Sequence, residues 1–181
     1  MAIEPVEFRV AQALLSCLCT ALNNNAAEDP SLPAPVRCCL RAGVDIPLDV
    51  TDEGEDLCCG GEAYVKIIST YPSTTFPQPD EYTANDCQMQ RLTVALELGV
   101  FRCLPLSPTC DESSFAVRRL AADRQAAMAA ACCWGELIQD PKVVGRGAKF
   151  FVGSWDNEGP EGMCVGGTMP LFASVPGPGC C

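Results

Sequence analysis

Apolar residues recur every fourth position along 5–23, where Val6, Val10, Leu14, Leu18 and Leu22 line up with Cys17 and Ala21 beside them. That stripe predicts an amphipathic helix. Pro5 suits its first turn, and Asn23, Asn24 and Asn25 are expected to end it. The period changes to two at 62–71, where Ala63, Val65 and Ile67 alternate with Tyr64, Lys66 and Ile68, which predicts a strand stopped by Pro72. The clearest pattern is 90–103, QRLTVALELGVFRC: Leu92, Val94, Leu96, Leu98 and Val100 form one face and Arg91, Thr93, Glu97 and Gly99 the other. Five successive matches predict a half-exposed antiparallel strand.

A second helix is predicted over 110–138. Thr109 and Glu112 fit a capping box, Asp111 and Glu112 suit the positive end of the helix dipole, and Gly135 with Asp140-Pro141 closes the element. Its interior is rich in alanine, which permits close approach to a sheet or a second helix. The segments AKFFVGSW (148–155) and MCVGGTMPLFASV (163–175) read as a hairpin around the loop DNEGPEG. Pro170 is expected to put the last strand at an edge or on a bulge. Between these elements lie two long, Pro-rich loops, 26–60 and 72–89, the first with a short extended piece near 36–41. The tail, 176–181, is flexible by composition.

The order helix, loop, strand, loop, strand, helix, hairpin predicts an α+β fold in a single domain over 1–181. An antiparallel sheet of about four strands would carry both helices on one face. A chain of 181 residues can bury a real core.

Composition narrows the function. The chain contains no His and has a net charge of −11. Ser-His-Asp and Cys-His catalysis and His-ligated metals are thereby removed. Phosphate contacts need Lys and Arg, so nucleic-acid binding is disfavoured. The uncharged stretch Val10 to Ala27 is too short and too polar to span a bilayer. Met1 to Arg9 lack the positive region of a secretory signal. Synthesis in a reducing cytosol, with later exposure to an oxidising medium, is the expectation.

The 14 Cys residues are the loudest signal, and eight of them fall in the adjacent pairs 38–39, 58–59, 132–133 and 180–181. No C-x-x-C occurs, so the knuckle of a zinc ribbon and the thioredoxin motif are both absent. If 62–71 and 90–101 are antiparallel neighbours, residue 62 lies near residue 101. Cys58 and Cys59 then approach Cys103 and Cys110, and a cross-link within that set is expected. If the helices share a sheet face, Cys17 approaches Cys132 or Cys133. Other candidate chemistry is thin. Asp52, Glu53, Glu55 and Asp56 do not match an EF-hand and read as a solvated acidic loop. The glycines at 145–147 and 165–167 match no phosphate loop. Trp134 and Trp155 fit a core or subunit-contact role better than that of ligand anchors.

Three segments resemble the tail-terminator proteins of long-tailed bacteriophages, particularly those of actinobacteria. They are VEFRVAQALLSCLCTALNN; the pair CCGGEAYVKIISTYPS and RLTVALELGVFRCLP; and LAADRQAAMAAACCWGEL followed by VGSWDNEGPEGMCVGG and a last strand. The resemblance implies a structural virion protein with no catalytic residues, no cofactor and no metal. It implies a homo-hexameric ring on the head-proximal end of the tail tube. The partners implied are the major tail tube protein and the head–tail connector or stopper. Assembly would take place in the host cytoplasm. Heterologous contacts that close would build such a ring, with loops 26–60 and 72–89 reaching onto neighbours. A negative lumen would let DNA pass without adhering. The cysteine excess and the CC tail depart from the family pattern. Alternatives are another neck component, such as a stopper or tube-like subunit, and a Cys-rich metal-binding or redox protein. A stopper would be mostly β, against two predicted helices.

Overall fold

The computed structural model describes residues 4–41, 61–80, 91–104, 107–161 and 164–177. The elements are α1 (Val6–Glu28), β1 (Arg37–Arg41), β2 (Glu62–Pro72), β3 (Arg91–Cys103), α2 (Cys110–Leu137), β4 (Phe150–Val152), β5 (Asp156–Glu161) and β6 (Cys164–Pro176). The fold is α+β, with two helices and an open, mixed sheet of six strands in the order β1-β2-β3-β6-β4, β5 pairing with β6.

The period-2 stripe of β3 sets the core. Leu92, Val94, Leu96, Leu98 and Val100 share one cluster with Val10, Leu14 and Leu18 of α1 and Ala126, Ala130 and Trp134 of α2. Both helices therefore cover the same sheet face. The β2–β3 pair is antiparallel with Glu62 opposite Phe101, the register expected from sequence. The capping box at α2 forms as predicted: Glu112 N–H donates to the Thr109 hydroxyl while Thr109 N–H donates to the Glu112 carboxylate at 2.7 Å. Those Thr109 donors hold the Glu112 carboxyl below its ordinary range.

The expectation of about four antiparallel strands is corrected in two places. RCCLR, the short extended piece expected near 36–41, is β1, but it joins the sheet and runs parallel to β2 with Arg37 opposite Glu62. DNEGPE, read as a hairpin loop, is β5, paired to the first half of β6, while β4 takes the second half. A 13-residue β6 is long enough to carry both short strands on one side.

Pro170 is also misplaced by the sequence rule, because β6 is an interior strand. The Pro170 carbonyl accepts from Gly153 N–H at 2.8 Å, so its imide nitrogen points to the same side. That is the gap between the end of β4 and the start of β5, where the missing N–H breaks no ladder bond.

Two helix boundaries move for tertiary reasons. α1 runs past Asn23-Asn24-Asn25 because Leu22 is buried and Asn25 Nδ2–H donates to the Ala122 carbonyl of α2 at 3.2 Å. Gly135 does not end α2. It is buried inside the last turn, and a Cβ there would come within 2.6 Å of the Phe150 ring. The glycine is a notch that admits β4's aromatic side chain.

Candidate functional site

The described parts of both expected loops fold back on their own molecule. After α1, Asp29 accepts from the amide and hydroxyl of Ser31 and from Arg118 of α2, and these donors hold its carboxyl below the usual range. In 73–80, Asp80 accepts from the amide and hydroxyl of Thr74, and Ser73 Oγ–H donates to the Gln78 carbonyl at 2.6 Å. Residues 42–60 and 81–89, the remainder of these loops, lie outside the described residues, and the acids Asp52, Glu53, Glu55 and Asp56 are among them.

Cysteine placement matches one expectation and leaves another open. Cys17 of α1, fully buried on the core side, is joined to Cys133 of α2, with Cα atoms 5.9 Å apart. Cys132, the other candidate, is an exposed thiol. A second bridge, unforeseen from sequence, joins Cys19 of α1 to Cys38 of β1. It fixes the short parallel edge strand to the helix that covers it. The expected cross-link within Cys58, Cys59, Cys103 and Cys110 is not decided by this geometry. Cys58 and Cys59 lie outside the described residues, Cys103 closes β3, and Cys110 is an exposed thiol in the first turn of α2.

Two polar clusters escaped the sequence reading. Arg102 occupies the helix-facing side of β3, two residues beyond Val100, where the apolar stripe would continue. It makes a two-pronged pair with Asp123 of α2: Nε donates to Oδ2 at 3.0 Å and Nη2 to Oδ1 at 2.7 Å. Its third prong, Nη1, donates to the Pro33 carbonyl at 2.7 Å. Both side chains are about nineteen-twentieths buried. Arg119 flanks the pair, and burial together with the Arg102 charge lowers its pKa from the ordinary guanidinium value. The cluster ties the start of β1's approach, the end of β3 and the middle of α2 into one unit.

The second cluster lies on the sheet face away from the helices. Tyr64 Oη–H donates to Glu97 Oε1 at 2.9 Å, and Lys66 Nζ pairs with the same oxygen at 2.8 Å. Burial, and then the Glu97 charge, pushes the Tyr64 phenol far above its ordinary range, so it stays protonated. The ring lies over Gly99, where a Cβ would come within 2.4 Å, and stacks on Phe101 with centroids 6.2 Å apart. A neutral phenol locked by a carboxylate and an ammonium group holds two strands in register and offers no free nucleophile.

Trp134 is fully buried, donates Nε1–H to the Val10 carbonyl at 3.1 Å and meets Phe150 edge-on, so it belongs to the core. Trp155 is half-buried against the same core, with its Nε1–H on Asn157. Among the described residues no group of three or more His, Cys, Asp or Glu converges, and no helix is long and apolar enough to cross a membrane.

The remaining unusual feature is the pair of sheet edges. β4, at one end, exposes Phe150 and Phe151, each more than two-fifths open to solvent. At the other end β1 is short and mostly half-buried, preceded by Val36, which is 77% exposed. No protein-family model and no curated protein matches the chain.

Proposed function

We propose that this chain is a structural virion protein, a phage tail terminator. It forms a homo-hexameric ring that caps the tail tube and joins it to the head connector. The observation that carries the reading is the open sheet with two unlike edges. Exposed sheet edges and large exposed apolar side chains are normally covered, by pairing or by a partner. Because the edges differ, copies meet head to tail rather than patch to same patch, and a head-to-tail contact closes into a ring when the rotation allows. The clusters that look chemical from their composition act as fasteners, which suits a part that must be rigid. Two bridges hold α1 to α2 and to β1. A net charge of −11 per copy suits a channel through which DNA slides.

Negative-stain imaging of the purified chain is expected to show closed rings of about 150 Å or less across, the size of six domains of this length. Open filaments, or symmetric dimers as the end state, would contradict it.

A further inference from the structure

The ring reading leaves open which surfaces meet. β5 lies beside β4 along one flank of β6, and its outer side pairs with no strand among the described residues. β1 ends the sheet on the other flank. The two edges fit each other in direction. β1 runs parallel to β2, and each step from β2 to β3, to β6 and to β5 reverses direction, so β1 and β5 point opposite ways. Repeating the copy around an axis along the strands therefore sets β5 of one copy antiparallel to β1 of the next.

The edges also fit in charge and side-chain placement. In β1, Cys38 is bridged to α1 and Leu40 packs on the core, so both face the helices. Arg37, Cys39 and Arg41 take the opposite face. In β5, Glu158 accepts from Thr168 Oγ1–H at 2.6 Å, and Asp156 stands opposite the same Thr168, whose neighbour Met169 faces the core. Both acids therefore lie on the face that carries the β1 cations. Arg37, Asp156 and Glu158 are exposed, and none belongs to an ion pair among the described residues. The β4 half of the same flank carries Lys149, and 141–155 contains no acid, so like charge turns β1 away from it.

We propose, resting on the ring reading, that the acidic β5 edge of one copy receives the basic β1 edge of a second copy as an added antiparallel strand. Glu158 stands opposite Arg37 of the second copy and Asp156 opposite its Cys39. Asp156 is then diagonal to both Arg37 and Arg41, within reach of their long side chains. On the helix side, half-buried Trp155 comes opposite half-buried Leu40, which continues the apolar core across the contact. A slip of two residues either way loses both the Glu158–Arg37 and the Trp155–Leu40 pairings. This contact is the repeated head-to-tail interface.

The native thiol Cys39 supplies the test. Full-length Asp156→Cys, assembled with oxidised glutathione, is expected to give a reduction-sensitive ladder reaching the hexamer on denaturing gels, beyond any seen for wild type. Adding Cys39→Ser removes that ladder, and peptide mapping assigns the new bridge to positions 39 and 156. Charge reversal gives a second readout, by sedimentation velocity with circular dichroism as the folding control. Asp156→Lys, Glu158→Lys is expected to self-associate at least about 100-fold more weakly than wild type, since like charges then face each other. An equimolar mixture with Arg37→Glu associates more tightly than either variant alone, because opposite charges meet again. Rings that form normally but give no ladder, or a ladder that survives Cys39→Ser, overturn the interface and leave the ring reading standing. A 39–156 bridge found only within single chains overturns it as well. A wild-type chain that stays monomeric at every concentration overturns both.

Discussion

Asp123→Ala is expected to cost roughly 3–5 kcal/mol of folding stability, the effect of leaving one member of a buried ion pair without its partner. The size follows from the surroundings. Arg102 spends all three of its donor directions inside the fold, two on Asp123 and one on the Pro33 carbonyl. Removing the carboxylate leaves a buried guanidinium beside a second one, Arg119, in a site with little access to water. A shift of the urea midpoint at unchanged slope would measure the loss. The paired replacement Arg102→Met, Asp123→Leu removes both charges and extends the apolar stripe of β3. It is expected to recover most of the loss, since burying two ions is itself costly. A single variant within about 1 kcal/mol of wild type would show that the pair is solvated and loose.

The second large effect concerns the bridge between the helices. Cys17 and Cys133 are 116 residues apart in sequence, and closing a loop of that size contributes about 5 kcal/mol in the chain-entropy account. Cys19 and Cys38 are 19 apart and contribute about 3 kcal/mol. The double variant Cys17→Ser, Cys133→Ser should therefore lose more stability than Cys19→Ser, Cys38→Ser under oxidising conditions. A thiol reductant should bring wild type down toward both. If neither variant nor reductant moves the melting temperature, the bridges do not stabilise the protein.

These two fasteners differ in how far they could be read from sequence. Proximity of Cys17 to Cys132 or Cys133 follows from two amphipathic helices on one sheet face. The choice of Cys133 over Cys132 is not set by burial, since both positions are exposed, but by which of the two stands opposite Cys17 of α1, at a Cα–Cα distance of 5.9 Å. Cys19–Cys38 was hidden because β1 carries no alternation. RCCLR is a short parallel edge strand, and its placement owes as much to the bridge, Leu40 packing and the Arg41–Glu62 pair as to local preference. The register Glu62 opposite Phe101 was legible because a buried face fixes pairing: a slip of one residue would turn Leu92 to Val100 outward.

β5 was illegible for the opposite reason. DNEGPE has poor strand preference and forms a strand because the long β6 offers it a ladder. The Arg102–Asp123 pair did leave a trace. Arg102 stands in phase with the apolar face of β3, and Asp123 falls among the alanines that face the core. A cation and an acid at two otherwise apolar positions are the signature of a buried pair.

The proposed role rests on where the chain sits and on the contacts its edges make there. Immuno-electron microscopy on long-tailed particles from cells that express the chain tests that directly. The expected result is a single cluster of label at the junction of capsid and tail. Label on the capsid shell, along the tube or at the distal tip, or particles without label, would contradict it.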